Sequence, residues 1–487
     1  MTLRVYNTLS GKKEEFHPLS PPKVGIYACG VTVYDYCHIG HARAAVAFDV
    51  IARYLRFSGY DVTYVRNYTD IDDKIINRSN EQGVDWKDLA RTFIEAHDTD
   101  MGALGVQRAD VEPRATDYID QIIGIVKTLE EKGVAYEVDG DVYFEVEKFD
   151  GYGKLSKRNI EEMQAGARID VDERKRNPID FALWKSSKQG EPAWDSPWGK
   201  GRPGWHIECS AMSAAILGQP LDIHGGGKDL IFPHHENEIA QSEAAGDREF
   251  VRYWMHNGFV NIDSEKMSKS LGNFFTIREV LEKYRPEVVR FFLLSTHYRS
   301  PLDFSDRALT EAETRYERFM NLFARAARAE PQDRDLTEKE RASTSVLTGE
   351  IETHFRAAMD DDFNTAAAIG HLFTALGPLN AILDSADAEG RGVAAGWKKE
   401  VDAFFRKVGG VIGFFEGGIA DGEAWFSAGV GGDGTLEKAR AMALERVEAR
   451  KNKDWAKADE LRDEIGELGY AVQDTPQGPV LIPLKDA

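Results

Sequence analysis

His38 and His41 lie three positions apart, with Ile39 and Gly40 between them, at the start of a helical pattern that follows an apolar run. Imidazoles at a helix N-terminus sit beside unpaired backbone N–H groups and the positive end of the helix dipole, so they suit a nucleotide phosphate. Gly40 admits close approach of a base or of backbone. A second pair, Lys266 and Lys269, is spaced alike in Lys266-Met267-Ser268-Lys269-Ser270, a loop flanked by Gly and Ser. Two ammonium groups on such a loop can close on a triphosphate and offset the charge that builds as pyrophosphate leaves. Cys29, Cys209, His234 and Glu238 form a third group, with the sulfur, nitrogen and oxygen donors that zinc takes. His234 and Glu238 are four apart on a helix expected from Pro233 to Ala245, which puts them on one face. Taken singly, each group has a plainer reading: surface histidines, a solvated loop, a small buried thiol, a capping imidazole. No C-x-x-C spacing supports a metal.

The elements that must position these groups follow from the hydrophobic pattern. Val24 to Ala28 reads as a buried strand, with Gly30 at the turn after it. A helix is expected from Gly40 to Gly59, with Val46, Val50, Ile51, Tyr54 and Leu55 near one face, and a strand from Val62 to Tyr68. A strand, loop, helix and strand with the loop at the strand's carboxyl end imply a parallel α/β sheet with a ligand crevice there. Residues 113–200 read as an insertion. It holds a helix from Asp117 to Lys132, an alternating strand from Val138 to Val146, and an irregular stretch from Phe149 to Pro203. Sheet-like text resumes at Leu221–His224 and His256–Ile262. Thr276 and Glu279 make a capping box, Pro286 starts a helix, and helical periodicity runs from Ser305 to about Val408 with a break near Pro331. Residues 409–434 contain ten glycines, a linker-like composition. Thr435 to Tyr470 is helical again, and a strand pair is expected around Pro476-Gln477-Gly478.

At 487 residues the chain suits about three domains. A net charge of −21 excludes a protein whose whole surface is a cation for nucleic acid or lipid. A local exception runs from Lys438 to Lys457, with seven basic residues against three acidic and Trp455 nearby for stacking. Three cysteines, Cys29, Cys37 and Cys209, are too few for a disulfide framework and point to a reducing, cytoplasmic setting. The polar first twenty residues lack a signal-peptide core, and no run approaches the roughly eighteen apolar residues of a membrane span.

Longer strings add a resemblance. They are Tyr27-Ala28-Cys29-Gly30-Val31-Thr32-Val33-Tyr34-Asp35 before His38, and Asn67-Tyr68-Thr69-Asp70-Ile71-Asp72-Asp73-Lys74 after the second strand. Gly204-Trp205-His206-Ile207-Glu208-Cys209-Ser210 follows, then His224-Gly225-Gly226-Gly227-Lys228-Asp229 and Phe232-Pro233-His234-His235-Glu236-Asn237-Glu238. With the two signature motifs, letter for letter, this text resembles the cysteinyl-tRNA synthetases, a class I aminoacyl-tRNA synthetase family, over nearly the whole chain. The resemblance implies a ligase that activates L-cysteine with ATP, accompanied by Mg2+, and passes it to tRNA(Cys). It implies His38, His41, Lys266 and Lys269 as catalytic residues, and Gly40 with them at the nucleotide. Gly30, Thr69 and Trp205 would lie at the substrate, and one zinc on Cys29, Cys209, His234 and Glu238. His224 and His235 are candidates for a layer behind the metal.

The expected fold is a Rossmann-like α/β parallel-sheet catalytic domain (1–112 with 201–262) carrying a connective insertion (113–200). After it come a KMSKS loop and stem-contact region (263–304), an α-helical bundle (305–408), a Gly-rich linker (409–434) and a small C-terminal α+β anticodon-binding domain (435–487). The chain is read as a cytoplasmic monomer without membrane attachment. Two rivals are weighed. A ligase handing cysteine to a small amine would lack the full C-terminal RNA-binding region, and a zinc-stabilised RNA-binding protein would not need intact catalytic motifs.

Overall fold

The computed structural model describes residues 2–159, 174–262, 265–266, 274–427, 435–468, 470–475 and 478–483. Strands Lys23–Thr32, Asp61–Thr69, Leu221–Gly227 and Val251–Asn257 form one parallel sheet, in the spatial order 251–257, 221–227, 23–32, 61–69. The chain leaves the first strand on one side and returns on the other, so the strand order reverses between 23–32 and 221–227. Such a reversal opens a crevice at the carboxyl ends of the strands. Helix Ile39–Phe57 starts there and buries Val46, Val50, Ile51, Tyr54 and Leu55, the face its periodicity marks.

The insertion differs from expectation. The stretch from Val138 to Val146 is not one strand. Ala135–Val138 and Asp141–Phe144 are a hairpin, turned by Asp139 at φ 54° and Gly140 at φ 84°. An Asp-Gly pair with both residues left-handed is a favoured two-residue hairpin turn, a stronger signal than the alternation around it. The stretch from Phe149 to Pro203 is not irregular throughout either, because Phe181–Ser186 and Gly201–Pro203 complete a four-stranded antiparallel sheet. The expected strand at His256 begins at Val251 and ends at Asn257. Val260–Ile262 is separate and pairs with Leu302–Phe304.

The capping box on Thr276 and the helix start at Pro286 are both present. The expected linker is helical through Ile412 and again over Ala420–Ser427. Gly422 serves packing rather than looseness: a Cβ there would fall 2.2 Å from Ala324 N, on the helix Asp306–Arg328. Residues 428–434 lie outside the described residues. Among the described residues one stretch, Thr365–Ala388, is long and apolar enough by composition to cross a membrane. It spans the helices Thr365–Thr374 and Leu376–Ala388, and its Leu372, Leu379 and Leu383 are buried in the helical core. The terminal helical region is two helices, Thr435–Lys451 and Trp455–Glu467, separated at Lys453 with φ 60°. The strands Tyr470–Thr475 and Gly478–Pro483 pair after them.

Candidate active site and metal centre

His38 is the N-cap of the first helix. Its Nδ1 accepts from Gly40 N at 3.1 Å, and its own N–H donates to His41 Nδ1 at 3.1 Å, closing a capping box built from two imidazoles. With both Nδ1 atoms accepting, each neutral ring carries its proton on Nε2. The rings stack at 3.8 Å between centroids. A Cβ on Gly40 would meet the His38 ring at 2.8 Å, so the glycine is required by the histidine that folds across it. Gly40, His38 and His41 line a cavity of about 520 Å³ together with Cys29, Gly30, Trp205 and Asp229. The chain flanking the lysine loop returns to this point: Ile39 N donates to Phe275 O and Ile277 N to Cys37 O. Lys266 ends a short strand paired with Val260–Ile262, whose Val260 also lines the cavity. Lys269 lies outside the described residues.

The four expected metal donors converge from three elements. Cys29 comes from the first strand, Cys209 from helix Trp205–Leu217, and Glu238 from helix Glu236–Gly246, with His234 in the turn before it. Cys29 Sγ lies 3.7 Å from both Cys209 Sγ and Glu238 Oε1, and His234 Nε2 lies 3.0 Å from the same Oε1. All four donor atoms fall within 4.8 Å of one another. Two sulfurs on a tetrahedral zinc are roughly 3.8 Å apart for Zn–S bonds of about 2.3 Å, so the chemistry and the spacing of this set fit that ion. A second quartet, Cys29, His224, His235 and Glu238, shares two donors with the first.

His224 and His235 stand behind the shared donors. His224 Nε2 lies 2.8 Å from Glu238 Oε2, the oxygen turned away from His234, and its Nδ1 lies 2.8 Å from Tyr27 O. His235 Nε2 reaches Cys29 Sγ at 3.3 Å, and its Nδ1 meets His256 Nε2 at 2.8 Å. Burial, with His224 and His256 beside it, pushes His235 well below the usual histidine range, so it is neutral. Burial alone would also lower His234, but Glu238 and Cys209 outweigh it and push it up to about 10. Burial would raise Glu238, yet His224 and His234 hold it at about 2. Of the two thiols, Cys209 is drawn down to about 6 by its hydrogen bond with Cys29, while burial pushes Cys29 up. Two of the four donors, Cys209 and Glu238, are thus anionic within one buried pocket, which favours a cation there.

The expected substrate residues border this centre. Trp205 stacks on His234 at 4.4 Å and remains 38 % exposed toward the crevice. Thr69 Oγ1 donates to the buried Glu208 at 3.0 Å, and Gly30 N donates to Asn67 Oδ1 at 2.9 Å. Four contributors escaped sequence reasoning: Asn67, His206, Glu208 and His256. His206 Nδ1 lies 2.9 Å from His234 Nδ1. His206 could have been found, since it precedes Cys209 by one helical turn. His256 could not, because strand pairing alone brings it in.

A parallel sheet with its crevice at the switch point and an imidazole-capped helix opening into it, against which the chain at Phe275 and Ile277 returns, form the frame of a class I aminoacyl-tRNA synthetase. Residues 15–314 match the family described as tRNA synthetases class I (C) catalytic domain. Residues 354–416 match a DALR domain, and residues 437–478 a cysteinyl-tRNA ligase anticodon binding domain. The chain belongs to the cysteine–tRNA ligase family. It is 56 % identical to the cysteine–tRNA ligases of Syntrophotalea carbinolica and Geobacter metallireducens, in each case over 98 % of this chain and 99 % of the relative. The fold is also similar to Mycobacterium tuberculosis methionyl-tRNA synthetase in complex with methionyl-adenylate. That match has a TM-score of 0.59 at 18 % identity, covering 80 % of this chain and 90 % of that one.

Proposed function

We infer that this protein is a cysteine–tRNA ligase. It activates L-cysteine with ATP and transfers the cysteinyl group to the 3′-terminal ribose of tRNA(Cys). The observation that carries the reading is the quartet of Cys29, Cys209, His234 and Glu238 beside the same crevice as the His38–His41 cap. In activation a carboxylate oxygen of cysteine attacks the α-phosphorus, and the bond to pyrophosphate breaks. His38 and His41 donate Nε2–H to the phosphates of Mg2+-bound ATP, while Lys266 and Lys269 offset the charge on the leaving pyrophosphate. A ribose hydroxyl then attacks the cysteinyl carbonyl, and AMP leaves.

The quartet holds one zinc, and His224 and His235 orient Glu238 and Cys29 from behind. Bound there, the ion supplies a soft site that prefers a thiolate to a hydroxyl, the distinction between cysteine and serine that shape alone makes poorly. Glu208 fixes the Thr69 hydroxyl, Gly30 lets the strand pass close to Asn67, and Trp205 walls the cysteine side. The enzyme works as a cytoplasmic monomer, where its three free thiols stay reduced.

Cysteine-dependent ATP–pyrophosphate exchange, tRNA(Cys) charging and zinc content test this together. Wild type is expected to hold about one zinc per chain. Cys209→Ser and His234→Ala are expected to lose zinc and exchange in parallel. Full zinc in both variants would overturn the ligand assignment. Exchange without charging would favour a small amine acceptor.

A further inference from the structure

A separate cavity, of about 300 Å³, lies just past the carboxyl end of the strand Asp61–Thr69. Its walls include Asp70, Trp86, Lys87, Arg91, Arg114 and Trp194. Asp70 directly follows Thr69, so the cavity adjoins the cysteine side of the crevice. Trp194 comes from the insertion, where its backbone pairs with Gly201, and Trp86 opens the helix Trp86–Ala103. The cavity therefore spans the seam between the catalytic sheet and the inserted unit.

Its chemistry departs from the rest of the molecule. The chain carries a net charge of −21, yet three cations line this cavity. Arg91 pairs with Asp88 at 2.7 Å, both exposed. Lys87 and Arg114 are exposed and have no ion pair among the described residues. The one carboxylate in the wall, Asp70, is engaged by Thr116, accepting from its N–H at 3.0 Å and its hydroxyl at 2.6 Å. The two indoles meet edge to face at 6.1 Å, and the Lys87 ammonium stands 5.5 Å from the Trp86 ring centre. Uncommitted cations beside aromatic rings form the combination that holds single-stranded nucleic acid: charge for the phosphate and a ring for the base. A free amino acid or ATP has its own place in the larger cavity, whereas the tRNA 3′ end must reach the crevice unpaired and along its lip.

We propose that this cavity takes one unpaired nucleotide of the tRNA acceptor strand, its base against the indoles and its phosphate toward Lys87 and Arg114. The proposal rests on the reading of the chain as a tRNA ligase. The test compares wild type with Lys87→Glu/Arg114→Glu, whose exposed positions spare the core, using tRNA(Cys) transcripts with and without their unpaired 3′ nucleotides. The double variant is expected to raise KM for intact tRNA about tenfold or more while cysteine-dependent exchange stays at the wild-type rate. Wild type is expected to bind intact tRNA more tightly than the shortened transcript, and the variant to show a clearly smaller difference between the two. Lys87→Arg/Arg114→Lys should retain the wild-type KM. An unchanged KM in the glutamate variant, an undiminished preference for intact tRNA, or an equal fall in exchange would each overturn the proposal. Wild type that exchanges pyrophosphate yet neither binds nor charges tRNA(Cys) would instead overturn the ligase reading on which it stands.

Discussion

Gly30 sits where the register of the first two strands shifts, between Ala28 and Val31. A Cβ there would lie 1.6 Å from Asn67 O, so Gly30→Ala must push the strands apart beside Cys29. Overpacking of this kind costs typically about 1–3 kcal/mol, and a lower melting temperature together with lost exchange activity is expected. Melting at the wild-type temperature would show that the strands absorb the methyl group. His224 holds the second oxygen of Glu238, at 2.8 Å. His224→Ala should weaken zinc retention roughly 10–100-fold, read by titration with a competing chelator. Unchanged retention would mean that Glu238 is positioned without it. In the lysine loop, Lys269→Ala should slow adenylate formation roughly 10²-fold with little change in cysteine binding. An unaltered single-turnover rate would remove that residue from the chemistry.

At the scale of elements, Glu340 shows how one carboxylate joins two helices. It is N3 of the capping box that opens the helix Glu338–Val346, with Thr337 as N-cap. It also accepts from Arg334 and from Ala394 N, at the start of the helix Ala395–Ile412. Burial would raise its pKa, but the Arg334 bonds and the backbone N–H groups of Ala394 and Thr337 hold it at about 2, against 4.5 ordinarily. A folded value below the unfolded one means that the stabilisation is complete above about pH 4.5 and is lost as pH falls toward 2. Glu340→Gln should therefore destabilise the protein at neutral pH by on the order of 3 kcal/mol. The gap between variant and wild type should narrow across that acid window. Thermal melts at a series of pH values would expose a constant gap, which would refute the linkage.

Across the whole molecule, one continuous hydrophobic cluster runs from Leu3, just before the strand Arg4–Asn7, to Trp425 in the helix Ala420–Ser427. The terminal unit has its own small cluster of Ala439, Ala443 and Ile465. A truncation after Asp433 should consequently leave the sheet, the metal centre and the crevice intact. Cysteine-dependent exchange should persist, while KM for tRNA(Cys) rises, because phosphate contacts supplied by the 438–457 cations are lost. Charging should recover as tRNA is raised. An unchanged KM would assign RNA recognition to the helices before residue 409.

Local chemistry was legible in the residues themselves. The His38–His41 cap, the Thr276–Glu279 box, the Pro286 helix start and the donor types of Cys29, Cys209, His234 and Glu238 depend on spacing within a turn or on side-chain identity. Long-range geometry was not. Whether Cys29 meets Cys209, and which histidines stand behind Glu238 and Cys29, depends on strand order in the parallel sheet, which no local pattern encodes. The ten glycines at 409–434 suggested looseness because composition reports what a backbone can do. Only packing against Ala324 shows that Gly422 is there to let two helices touch. His256, likewise, became part of the site because a strand carries it beside His235. Residue identity and spacing set which groups were available for adenylation and metal binding. The tertiary structure decided which of them meet, because contact between distant segments is set by how the sheet and helices share one core.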